Sequence, residues 1–116
     1  MKATIYHNPR CSKSRQTLEL LEEQGVDVEI IEYLKTPPDQ KTLKAILKKL
    51  NIDAADLMRK NESVFKELQL SNKLDNPDAL VDAMINNPIL IERPIVLANK
   101  KAAIGRPPES VLDILK

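Results

Sequence analysis

The sequence is poor in sulfur and imidazole, with one cysteine, Cys11, and one histidine, His7, in 116 residues. A lone cysteine cannot close an internal disulfide, which excludes a stapled secreted scaffold and fits a reducing cytoplasm. Cys-x-x-Cys dithiol chemistry is excluded too, because the second cysteine position holds Ser14. Any redox cycle must therefore borrow a thiol from outside. One cysteine and one histidine are too few soft ligands for a zinc site, so no metal is expected. Nor is charge of one sign in excess: the formal net charge is +1. Lys and Glu alternate through the middle of the chain without a basic stripe, so nucleic acid is not expected as a partner. A long apolar run is missing as well. The best stretch, "PILIERPIVLANKKAAIG", is broken by Glu92, Arg93, Lys100 and Lys101, and neither a membrane span nor an export segment is expected. Repeats, low-complexity tracts and linkers are absent, and the length suits one domain over residues 1–116.

What is present reads as an α/β chain. "ATIYH" is rich in β-branched and aromatic residues and precedes the breaker Asn8-Pro9, so it reads as a strand ending near His7. From Ser12 to Gln24 the spacing of Leu18 and Leu21 predicts a helix that Gly25 ends in the left-handed conformation. "VDVEIIEYL" reads as a second strand, parallel to the first across this helix. In "TPPDQKTLKAILKKL", Thr36 is the expected cap, Pro37 the first helical residue and Asp39 the capping-box partner. Leu43, Ile46, Leu47 and Leu50 form the expected buried stripe of that helix. Shorter helical stretches are expected near Asp53–Arg59, Glu62–Leu68 and Asp78–Ile85, giving a helical insert at about residues 37–87. "PIVLA" and "KAAIG" then form a hairpin around Asn99-Lys100, and Pro108 opens a last helix with Val111, Leu112 and Leu115 inward. The order is β-α-β, helices, β-β-α around a mixed four-stranded sheet.

"YHNPRCSKSR" concentrates the reactive residue types. At a helix amino end, unpaired N–H groups and the helix dipole favour a thiolate over a thiol, and the same groups can hold an oxyanion. Arg10, Lys13 and Arg15 add positive potential, with His7 as a further candidate, and Ser14 can offer its hydroxyl to the sulfur. Free cysteine is commonly an inert core residue, but charged and polar neighbours favour a reactive one here. A tyrosine-phosphatase loop needs an arginine six positions after the cysteine, whereas Arg15 comes four after Cys11.

Four blocks in order, "HNPRCSKSR", "LMRKNESVFKELQL", "ERPIVL" and "IGRPPE", resemble the glutaredoxin-coupled arsenate reductase family from Ile5 to the end of the chain. The resemblance implies a thioredoxin-like fold with a helical insert, and a cis-proline at Pro94 facing the cysteine loop. It implies that Cys11 is the nucleophile, that His7 and Ser14 lower its pKa, and that Arg59, Arg93 and Arg106 bind the oxyanion. It also implies that arsenate or a related oxyanion is the substrate, glutathione the co-substrate and glutaredoxin the partner that resolves the adduct, with no tightly bound cofactor. Ser12 and Lys13 stand where dedicated resistance enzymes carry a small pair such as Gly-Thr, which leaves two other readings open. One is a glutathione-dependent thiol oxidoreductase of another substrate; the other is a non-enzymatic regulator of the same fold that binds RNA polymerase.

Overall fold

The structure is a computed structural model that describes residues 1–116. The chain forms two compact units, one made of Met1–Thr36 with Arg93–Lys116 and the other of Pro37–Glu92.

The first unit is a four-stranded sheet of order β2-β1-β3-β4, built from β1 (Lys2–His7), β2 (Asp27–Glu32), β3 (Ile95–Ala98) and β4 (Lys101–Ile104). β1 pairs with β2 in parallel, and the crossover between them is helix α1 (Ser12–Glu23). β3 lies antiparallel to both β1 and β4. The β3–β4 turn places Asn99 and Lys100 at φ 51° and 63°, the left-handed pair that a two-residue hairpin matching strand twist requires. Gly25, at φ +73°, ends α1 as its position suggests. One face of the sheet gives Ala3, Ile5, Val96 and Ala98 to a core closed by Leu21 of α1 with Val111 and Ile114. The other buried side chains of α1 are Ser14 and Thr17. Its inward face is therefore apolar at one end and polar at the end that carries Cys11.

Two expectations about helices are corrected. The second helix, α2 (Gln40–Leu50), is capped by Asp39, whose carboxylate accepts the Thr42 N–H at 2.7 Å. Thr36 is not the cap because Pro38 disfavours helical geometry at Pro37, which delays the helix past both prolines. Leu43, Ile46 and Leu47 are buried as expected, while Leu50 at the helix end is half-buried. The last helix, Pro108–Leu115, is 3₁₀ rather than α. Three residues per turn put Val111 and Ile114 on one face, so these two are buried and Leu112 and Leu115 are half-buried.

The second unit packs α2 with α3 (Ala54–Leu57), α4 (Ser63–Glu67) and α5 (Pro77–Asn86) around Leu57, Phe65, Leu80 and Met84. Short 3₁₀ turns at Leu70–Asn72 and Pro88–Leu90 complete it. No helix of the chain is long and apolar enough to cross a membrane.

Candidate active site

The site begins where β1 runs out. Asn8 Oδ1 accepts the Arg10 N–H at 3.0 Å, and the Asn8 carbonyl accepts the Cys11 N–H at 3.0 Å, so the loop turns tightly into α1. Cys11 is the residue that caps α1, with extended backbone angles (φ −96°, ψ 122°), and its carbonyl accepts the Arg15 N–H at 3.0 Å. Its side chain does not cap the helix. The sulfur, in a residue 9% exposed, instead receives a hydrogen bond from Arg106 Nη2 at 3.6 Å. A guanidinium on one side and the first-turn N–H groups of a twelve-residue helix on the other make this an environment for an anion.

His7 and Ser14 form the floor of the loop. Ser14 is fully buried, accepts the Asn8 N–H at 3.0 Å and lies 2.6 Å from His7 Nδ1. Ser14 Oγ is thus in contact with both His7 and the loop backbone. Burial is the main force on His7 and lowers its pKa; Glu32 opposes that shift and Arg15 reinforces it. Neutral His7 adds no charge to the site. Which of Ser14 Oγ and His7 Nδ1 donates in this contact follows the tautomer of the ring. Arg15 folds back to donate from Nη1 to the Pro9 carbonyl at 2.9 Å, holding the loop's outer edge.

Arg93 and Arg106 are brought together by backbone. Arg106 Nε donates to the Arg93 carbonyl at 2.7 Å, which orients the guanidinium that reaches Cys11. Arg93 is half-buried, with Nε and Nη1 inside the protein. The Arg93–Pro94 peptide is cis, and so is Arg106–Pro107, which sequence reading did not anticipate. Arg59 stands in the helical unit just after α3. There it is half-buried and paired with Glu62 at 2.9 Å, and its N–H donates to the Leu90 carbonyl at 2.8 Å. Beside the cysteine loop, a cavity of about 350 Å³ opens between His7–Arg10 and the end of β2, lined there by Glu32, Leu34 and Lys35.

Comparison with known proteins joins this geometry to a lineage. The profile of the ArsC family matches residues 6–114. The chain belongs to the ArsC family. It is 54% identical over 113 residues to an arsenate reductase of Neisseria meningitidis serogroup A, covering 96% of each chain. It is 56% identical over 112 residues to the uncharacterized protein YfgD of Escherichia coli K12, covering 96% of this chain and 94% of the other. The solved structure of an arsenate reductase from Vibrio cholerae superposes with a TM-score of 0.94 at 49% identity, over 98% of both chains. The fold is therefore the thioredoxin-like fold of ArsC proteins, with its mixed four-stranded sheet.

Sequence reasoning missed Gly105 and Thr17, which pack against each other behind Arg106. A signal was available for the first, since the chain has only two glycines and one lies inside "IGRPPE".

Proposed function

We propose that this ArsC-family chain is an oxidoreductase that reduces arsenate to arsenite, with glutathione and glutaredoxin as the electron donors. The observation that carries the reading is the Arg106 guanidinium 3.6 Å from the Cys11 sulfur at the start of α1. The Cys11 thiolate attacks arsenic(V), forming an S–As bond as an oxygen leaves, protonated, as water. Arg106 and Arg93 balance the negative charge that develops on the arsenate oxygens. Arg59 is the third arginine of this reading, on the strength of the "LMRKNESVFKELQL" block. Glutathione then displaces a second oxygen from the bound arsenic, and the cavity beside the loop offers room for its peptide. A glutaredoxin thiolate attacks the glutathione sulfur, and the S–As electron pair stays on arsenic, which becomes arsenic(III). Water finally releases arsenite and frees Cys11. The two electrons come from the two external thiols, as a chain with one cysteine requires. Such donors belong to a reducing cytoplasm.

The test is arsenite formation by the purified chain, followed through NADPH consumption by glutathione reductase. Turnover is expected only when arsenate, glutathione and glutaredoxin are all present, and Cys11→Ser is expected to abolish it. Background rates for the wild-type chain under complete conditions would refute the assignment.

A further inference from the structure

We infer that Gly105 and Thr17 are positioning residues that hold Arg106 against Cys11. The inference rests on the reading that Arg106 serves the anion at Cys11. It concerns what brings the guanidinium there, across 95 residues of sequence. Gly105 does not have a positive φ, so conformational freedom is not the reason for glycine at this position. Space is the reason. A Cβ on Gly105 would stand 2.8 Å from Pro94 Cγ and 2.9 Å from Thr17 Cγ2, and closer still to Thr17 Oγ1. The Cα of Gly105 is thus pressed into a slot whose walls are the cis-proline loop and the inner face of α1.

The slot is braced from several directions. The Gly105 N–H donates to the Pro94 carbonyl at 2.9 Å, and the Arg106 N–H turns back to the Ile104 carbonyl at 2.9 Å. Thr17 Oγ1 donates to the Lys13 carbonyl at 2.7 Å and lies 3.4 Å from the Gly105 carbonyl, so its rotamer is fixed against the strand end. Thr17 is fully buried and lies six residues along α1 from Cys11, about 9 Å along the axis. One helix therefore presents the nucleophile at its tip and the wall that seats Arg106 on its flank. With Arg106 Nε on the Arg93 carbonyl, the guanidinium is placed by two supports, one at its own Nε and one at the backbone of Gly105 behind it. A methyl at residue 105 has no room unless the strand end moves away from α1, and the arginine moves with it.

The experiment compares alkylation of Cys11 by iodoacetate, an anion, and iodoacetamide, its neutral analogue, in the full chain. The ratio of the two rates reads the positive potential at the sulfur. Arg106→Gln tests the underlying reading and is expected to lower the ratio several-fold; an unchanged ratio would reject Arg106 as the anion's partner. Gly105→Ala tests the support. It is expected to lower the ratio to a similar extent in folded protein and to add nothing in the Arg106→Gln background, because both act through one guanidinium. A merely structural role would not move the ratio. A wild-type ratio in folded Gly105→Ala, or a full additional loss in the double variant, would overturn the inference. If Gly105→Ala does not fold, the measurement passes to Thr17→Ala, which removes one wall of the slot and leaves Gly105 in place. A lowered ratio in folded Thr17→Ala that is not lowered further in the Arg106→Gln background supports the inference, and a wild-type ratio overturns it.

Discussion

At the scale of single residues, directional contacts rather than net charge carry the proposed chemistry. Lysine keeps the charge of arginine and loses the planar fork. In the arsenate assay, Arg93→Lys and Arg106→Lys are expected to lower kcat/KM by about tenfold or more, equivalent to about 1.4 kcal/mol of transition-state stabilisation. Lys13→Gln is expected to cost less, since Lys13 is exposed and contributes only to the general field. Equal losses at Lys13 and Arg106 would show that the field, not the fork, does the work. His7 gives a pH dependence of defined sign. Its pKa is lowered in the folded chain, chiefly by burial, so the unfolded chain binds a proton that the folded chain resists. The associated stability is complete above the ordinary histidine value of about 6.5 and is lost as pH falls from there through the folded pKa. The urea midpoint of the wild-type chain should therefore fall between pH 7.5 and pH 5.5 more steeply than that of His7→Gln, and parallel slopes would remove His7 as the cause.

At the scale of elements, helix starts supply the clearest predictions. Asn76 caps α5 by accepting the Ala79 N–H at 3.2 Å, and Asn76→Ala is expected to cost about 1 kcal/mol in urea unfolding. Asp39 does the same for α2. Its pKa is lowered by the Thr42 N–H that it accepts, so its contribution is present above the usual carboxylate range and lost as pH falls through the folded value. Asp39→Asn should show a shallower loss of stability on acidification than the wild-type chain. Most elements could be read from pattern alone. β1, α1, β2 and the Asn99-Lys100 hairpin have periods and turn residues that agree with their final geometry. The cap of α2 could not be read because Thr36 and Asp39 are both good caps, and only the backbone restriction at Pro37-Pro38 decides between them. The 3₁₀ character of Pro108–Leu115 was hidden because Val111, Leu112, Ile114 and Leu115 fill an α or a 3₁₀ face equally well as letters. In the site, Cys11, His7 and Ser14 could be found as neighbours in sequence. The slot at Gly105 could not, because it exists only where β4 meets α1.

At the scale of the whole molecule, one thiol sets the limits of the chemistry. Cys11 is the only cysteine of the chain, so in the proposed reaction it holds the arsenic but cannot supply both reducing equivalents, and the proposed cycle passes through an adduct with an outside thiol. The ArsC fold gives that sulfur its surroundings by bringing Arg106, from beyond β4, to the start of α1. The measurement that tests this most directly is mass spectrometry of the wild-type chain after arsenate and glutathione are added without glutaredoxin. A covalent species carrying one arsenic and one glutathione is expected on the peptide that contains Cys11, absent from Cys11→Ser and cleared when glutaredoxin is added. Arsenite accumulating with no such species on Cys11, or turnover sustained without any added thiol, would contradict the proposed cycle.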